Sequence, residues 1–190
     1  MRDTHVCRQQ LRAATACEHE RVDALFPGGL VDATAYRCYL QGMHRLCDDV
    51  AKGWLRIARA PEEPLHRVSL LQADLARLAL DALPAAAPLA LDGELELAGA
   101  EYVIQGSRMG ARLLSRQARR LGRDGPDNGA AFLTWHSRPE GQATWEALLE
   151  RIARLVRTNA DEDRLMAAAV RTFSAAAFAF EHARQRVVAQ

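Results

Sequence analysis

The strongest constraint on this chain is the period of its apolar residues. Between Asp32 and about Ala60, Tyr36, Tyr39, Leu40, Met43, Leu46, Cys47, Val50, Trp54 and Ile57 recur at spacings of three and four. That period marks one face of an α-helix. Asp32 or Thr34 opens the segment, and Pro61 and Pro64 close it. Similar stripes predict helices over 4–26, with Thr4 as a candidate N-cap and Pro27-Gly28-Gly29 as the stop, over 64–83, over 94–121, over 141–158 and over 161–187. Residues 129–134 suit one short turn, and 136–141 a loop, with Trp135-His136 at the junction given no role. Leu89 to Leu97 alternates weakly, which suits a linker better than a strand. Helices in two layers are the expected way to bury such stripes, so the fold class is all-α and multi-helical. A length of 190 residues suits a single domain over 1–190.

Charge narrows the function. The chain has 25 basic and 24 acidic residues. Phosphate binding needs a surplus of Lys and Arg on one face, so a nucleic-acid partner is not expected. All the basic residues but Lys52 are arginine. The cysteines Cys7, Cys17, Cys38 and Cys47 form no CxxC, and most lie in helical patterns, which argues against a zinc cage or a disulfide framework. Reduced thiols fit a cytoplasmic protein. No apolar run is long enough to span a bilayer, and no secretion signal opens the chain.

Two helices carry candidate chemistry. In the first, Arg12, Thr15, His19 and Phe26 fall within one stripe flanked by Leu11 and Val22, which predicts His19 on the buried side. A buried neutral imidazole is either a hydrogen-bonded core residue or a metal ligand, and spacing alone leaves both open. Arg12, two turns earlier, can reach a carboxylate at the rim of a flat ligand. In the fourth helix, Gly99, Gly106 and Gly110 share a face. An interior glycine costs about 1 kcal/mol relative to alanine. Close approach of another helix, or of a flat cofactor, would offset that cost.

These two segments together resemble the bacterial heme oxygenases. Leu11-Arg12-Ala13-Ala14-Thr15-Ala16-Cys17-Glu18-His19-Glu20-Arg21-Val22-Asp23 is similar to that family's opening helix. Tyr102-Val103-Ile104-Gln105-Gly106-Ser107-Arg108-Met109-Gly110-Ala111-Arg112 is similar to its distal helix. The flavour is that of the biliverdin-producing oxygenases paired with bacterial phytochromes. The resemblance implies a heme-oxygenase-like fold with heme between the first and fourth helices. It implies His19 as the iron ligand, and Arg12, Thr15, Tyr102, Met109 and Phe173 around the heme. Gly106, Ser107 and Gly110 are the implied catalytic positions, crowding the O2 side. Heme would be both cofactor and substrate, opened to biliverdin, CO and iron with electrons from a ferredoxin or a flavin reductase. A bacterial phytochrome is the implied biliverdin acceptor, and no membrane partner is implied.

Departures from the family pattern sit in the distal segment. Ser107 stands where some members carry Asp, Gln105 where Glu is common, and Arg108 and Met109 are bulkier than usual. A catalytically silent heme binder is therefore the alternative. Arg151 and Arg154 are further candidates for a heme propionate. Among other classes, a di-iron bundle enzyme needs two Glu-x-x-His motifs and finds only Glu63-Pro64-Leu65-His66. A helix-turn-helix regulator lacks a basic recognition helix.

Overall fold

The computed structural model describes residues 4–57, 62–85, 87–121 and 130–188. Eight helices occur there and no strand: α1 Thr4–Leu25, α2 Ala33–Ile57, α3 Glu62–Arg77, α4 Glu94–Gly106, α5 Arg108–Leu121, α6 Ala131–His136, α7 Gly141–Leu155 and α8 Asn159–Val188. The segment Leu89 to Leu97 is a connection that turns helical at Glu94, not a strand. Thr4 is the first residue of α1, not a cap outside it. No helix among the described residues is long and apolar enough to cross a membrane.

The helix ends follow from local hydrogen bonding. α1 stops where Gly28 and Gly29 adopt φ of 79° and 84°, a left-handed backbone open to glycine at little cost. Asp32 is the cap of α2: its Oδ1 accepts from the Ala35 amide at 2.7 Å. Thr158 and Asp161 form a reciprocal capping pair, with the Thr158 amide donating to Asp161 Oδ2 (2.9 Å) and the Asp161 amide to Thr158 Oγ1 (3.1 Å). α8 therefore begins at Asn159, two residues before the expected start at 161.

Two expected boundaries are corrected. The third helix ends at Arg77 and not at residue 83, because Ala79 turns into the left-handed region (φ 51°) while the Leu80 amide donates to Leu75 O at 2.9 Å. Apolar spacing continues past that stop only because Leu83 is buried from a loop. The fourth helix is two helices, α4 and α5, parted at Ser107. The expected turn at 129–134 is a short helix that takes in Trp135 and His136. It is capped by Asp74 of α3, whose carboxylate accepts from the Ala131 (2.8 Å) and Phe132 (2.9 Å) amides.

α8 is the spine of the fold, packed by α1, α2 and α4; α3 pairs with α2, α7 with α4 and α1, and α6 bridges α3 and α5. One apolar cluster joins α2, α3, α6 and the inner faces of α4 and α5 around Leu40, Leu71, Ile104 and Phe132. A second joins α1, α4, α7 and α8 around Leu11, Tyr102, Ile152 and Leu165. α4 approaches α8 most closely at Gly99, where a Cβ would stand 2.6 Å from Leu165 O and 3.1 Å from Ala169 N. Gly99 thus serves helix packing, which is one of the two uses its sequence allowed.

Candidate functional site

His19 does not lie on the buried side. Its side chain is 60% exposed. The buried line of α1 runs through Cys7, Leu11 and Thr15, with Val22 half-buried. Four residues advance a helix about 40° past a full turn, so His19 lies one step round from Thr15, on the shoulder of α1. The shoulder is not empty of structure. His19 Nδ1 lies 3.1 Å from Asp23 Oδ2, one turn on. Its ring is tilted 59° against Phe173 of α8 at 5.6 Å between centroids. With the Nδ1 hydrogen on a carboxylate, Nε2 is left as the lone-pair nitrogen. This is the donor a heme iron takes, and it stands on an open face of the protein.

The other candidates from α1 behave differently. Thr15 is buried, and its hydroxyl donates to Leu11 O at 2.8 Å, so it is committed to its own helix. Arg12 is exposed. The positive charges of Arg8 and Arg12 both act to lower the pKa of Tyr102 on α4. Burial raises the Tyr102 pKa and outweighs these two arginines, so the phenol keeps its proton. Tyr102 also meets Trp145 of α7 at 5.3 Å, and the Arg8 guanidinium lies over the same indole at 6.0 Å. A buried phenol beside two guanidinium groups is a donor set for a carboxylate.

Beyond Tyr102 the distal segment opens outward. A Cβ on Gly106 would make only an ordinary contact, 3.9 Å from Trp145, and one on Gly110 would meet nothing within 4 Å. Met109 is 75% exposed, so it is not core filler, and Leu113 is 57% exposed. Bare backbone flanked by exposed apolar side chains is a surface that a flat apolar ligand fits. Together with the lone-pair nitrogen of His19 and the Arg12–Tyr102 donors, the residues present fit heme.

Ser107, at the break between α4 and α5, connects this surface to the interior. Its Oγ donates to Ile104 O at 2.7 Å and lies 2.9 Å from His136 Nε2. Since the hydroxyl hydrogen is taken by Ile104, Nε2 carries a hydrogen and donates to Oγ. His136 is fully buried and stacked on Phe132 at 4.9 Å. Burial, then Arg108 and Arg67, push its pKa well below 6.5, so the ring is neutral. Among the described residues its Nδ1 has no hydrogen-bond partner.

Behind His136 lies a buried ion pair. Arg67 Nη2 donates to Glu101 Oε1, which also accepts from Trp54 Nε1 (3.1 Å), while Gln105 Nε2 reaches Glu101 Oε2 at 3.4 Å. Burial opposes both charges. The Arg67 charge and the three donors still hold the Glu101 carboxyl below 4.5, and Glu101 raises the Arg67 pKa. Among the described residues Arg67 Nε and Nη1 and Gln105 Oε1 are buried without hydrogen-bond partners. Buried unpaired donors on Arg67 and acceptors on Gln105 and His136 are groups that ordered water would satisfy.

Arg67 and Glu101 were not singled out by sequence reasoning, Asp23 entered only as the end of the first-helix segment, and His136 only as part of a loop without an assigned role. An i,i+4 carboxylate after His19 and a lone Glu inside Leu-Ala-Gly-Ala-Glu-Tyr-Val-Ile were available signals. The propionate candidates on α7 are engaged elsewhere: Arg151 with Glu94 (3.3 Å) and over the Trp54 ring (4.8 Å), Arg154 with Glu150 (3.8 Å). On α8, Ala177 and Phe180 are buried in the core, while Phe173 meets the His19 ring. Glu63 pairs with Arg108 (2.7 Å) and His66 lies edge-on to Trp135 (5.2 Å). Among the described residues no group of three or more His, Cys, Asp or Glu is arranged to hold a metal ion.

No protein-family profile matches the chain, and no curated protein sequence matches it. Among solved structures, it is similar to the NO- and CO-bound heme oxygenase from Neisseria meningitidis, with a TM-score of 0.70 over 94% of this chain and 92% of that one, at 19% identity. The all-helical fold of this chain is therefore the heme oxygenase fold.

Proposed function

We propose that this chain is a single-domain heme oxygenase that binds heme between α1 and the α4–α5 segment and opens it to biliverdin, CO and iron. The observation that carries the reading is His19: an exposed imidazole whose Nδ1 faces Asp23, on the first helix of a heme oxygenase fold. When bound, heme supplies the iron that takes up O2 and electrons, and the ring that is cleaved. The chain's own contribution is orientation and protons. Asp23 fixes the His19 tautomer and aims Nε2 outward as the iron ligand. Phe173 sets the tilt of that ring. The Tyr102 hydroxyl and the Arg12 guanidinium bind a propionate and fix the rotation of the macrocycle. Gly106 and Gly110 let the opposite face approach bare backbone, Met109 covers its edge, and Thr15 holds the α1 backbone in place. His136 and Ser107, 2.9 Å apart at the break between α4 and α5, would hold protons for the O2 side.

A ferredoxin or a flavin reductase is the proposed electron source, and a bacterial phytochrome the proposed acceptor of biliverdin. Among the described residues no disulfide joins Cys7, Cys17, Cys38 or Cys47, and a cytoplasmic location, where thiols stay reduced, is part of the proposal. One observation favours a second reading, a silent heme binder: the Ser107 hydrogen is already taken by Ile104 O.

A hemin titration followed by ascorbate, or by ferredoxin with its reductase, under air tests the proposal. The expected result is a Soret band that saturates at one heme and decays to a biliverdin spectrum. A stable Soret band would leave the silent binder. Absence of a saturable band would refute heme binding altogether.

A further inference from the structure

Arg108 is set apart from the other arginines of its helix. Arg112, Arg116, Arg119 and Arg120 of α5 are exposed, whereas the Arg108 side chain is only 11% exposed. It is the first residue after the Ser107 break, and it meets three other helices. Its Nη2 donates to Glu63 Oε1 of α3 at 2.7 Å. Its guanidinium lies over the Trp135 ring of α6 at 4.9 Å from the centroid. At the start of α7 its side chain crosses Gly141, where a Cβ would stand 3.0 Å from Arg108 Cδ and would overlap Nη1. Gly141 is not in the left-handed region, so no turn requires a glycine there. Its missing Cβ makes the slot that Arg108 fills.

We propose that Arg108 is a positioning residue, clamped by Glu63, Trp135 and Gly141 so that the α4–α5 break stays where Ser107 meets His136. Burying most of a guanidinium costs desolvation, and among the described residues the Arg108 Nε is buried without a partner. A well-packed apolar side chain would fill the slot without that cost. What the guanidinium adds is direction: an ion pair on one side and a ring face on the other fix the plane of its fork. The pairing along the chain converts that direction into register. Ser107 lies 2.9 Å from the His136 ring, and the next residue, Arg108, lies over Trp135, the residue before His136. Two consecutive contacts on both helices hold α5 against α6 in one orientation, which a single contact would leave free to turn. Gly106 and Gly110, one residue before and two after this pair, are held with it. The effect on the reaction rests on the heme reading; the clamp does not.

The test uses the full chain with Arg108→Met, Glu63→Gln, Gly141→Ala, Ser107→Ala and, as control, Arg112→Met on the exposed face of α5. Long-range proton–nitrogen NMR of the ligand-free protein reads the His136 ring directly. Wild type should show the Nε2–H tautomer with a slowly exchanging proton, and Ser107→Ala the signature of the lost contact. Arg108→Met and Gly141→Ala should resemble Ser107→Ala, Glu63→Gln should fall between, and Arg112→Met should match wild type. With hemin and ascorbate, Arg108→Met should keep its hemin affinity within about twofold and lose turnover by about tenfold or more. A wild-type His136 signal in Arg108→Met would overturn the proposal. Should that variant not fold, a wild-type signal in both Glu63→Gln and Gly141→Ala overturns it instead. Equal losses of hemin affinity and turnover in Arg108→Met would make Arg108 part of the binding surface and also defeat the proposal. If wild type neither binds nor converts heme, the heme reading falls, and the His136 signal alone decides the clamp.

Discussion

Removing the Glu101 carboxylate should destabilise the protein far more than removing the whole ion pair. Arg67 is 1% exposed and Glu101 is its only ion-pair partner among the described residues. In Glu101→Leu the guanidinium is stranded in the core, which costs about 3–5 kcal/mol. Against a typical total of roughly 5–15 kcal/mol, that is a large part of the stability. For a chain of this size it lowers Tm by roughly 6–20 °C. In Arg67→Met with Glu101→Leu both charges are gone and the volume is kept. The remaining loss is that of Trp54 Nε1, with the longer Gln105 Nε2 contact, left without an acceptor, about 1–3 kcal/mol. Urea unfolding of wild type, both singles and the double gives the coupling, expected at about 2 kcal/mol or more. The acid limb gives an independent reading. The Glu101 carboxyl is held below 4.5 when folded, so under that pH the unfolded chain binds the extra proton first. The contribution is present above pH 4.5 and disappears as pH falls through the depressed pKa. The double variant should therefore lose stability less steeply in acid. A single Glu101→Leu costing under about 1 kcal/mol, or two singles that sum to the double, would refute the argument.

Three other outcomes follow from the geometry. Gly99→Ala should destabilise by about 1–3 kcal/mol, because its Cβ meets α8 backbone, whereas Gly110→Ala should stabilise the ligand-free protein by up to about 1 kcal/mol; the opposite order in chemical denaturation contradicts both assignments. His19→Ala should change stability by no more than about 0.5 kcal/mol, since the side chain is 60% exposed, yet alter the Soret band of the hemin complex; an unchanged band removes His19 as the ligand. His136 is neutral when folded, its pKa well below 6.5, so the unfolded chain takes up a proton first as pH falls through 6.5. Stability is full above pH 6.5 and declines below it, by about 1.4 kcal/mol per pH unit for one such group. His136→Gln should flatten that decline between pH 6.5 and 5, and equal slopes in the two proteins would show that His136 is not buried neutral.

Much of this architecture was legible where one residue type decides the outcome. Gly28 and Gly29 end α1, and Asp32 caps α2, because few residues tolerate or supply what those positions need. The third helix begins at Glu62, with Pro64 inside its first turn, and was overextended at its end because apolar spacing does not register a left-handed Ala79. His19 was identified as the ligand candidate but put on the wrong part of the helix. The stripe through Arg12, Thr15 and His19 has the right period and a centre rotated from the one packing selects, through Leu11. Arg67, Glu101 and His136 lie on three helices and become a site only when α3, α4 and α6 meet. No spacing in one dimension encodes that meeting, and His136 also lay in a stretch read as loop.

The three glycines of the distal segment show how far the ligand-free chain accounts for itself. Each carries a helix-propensity cost of about 1 kcal/mol. At Gly99 the fold offsets it, since α8 backbone occupies the space a Cβ would take. At Gly110 no described residue occupies that space, and the backbone there is not in the left-handed region. On the proposed heme reading the offset at Gly110 comes from the ligand. The two apolar clusters lie away from that surface, on the inner faces of α4 and α5, so the fold does not depend on what binds there. The consequence is a separation that can be measured. Filling the Gly110 surface from within, as in Gly110→Leu, should leave the cooperative unfolding transition in place and abolish saturable hemin binding. If that variant instead unfolds and still binds hemin, Gly110 is a packing residue and the open face of α5 is not the distal wall of the site.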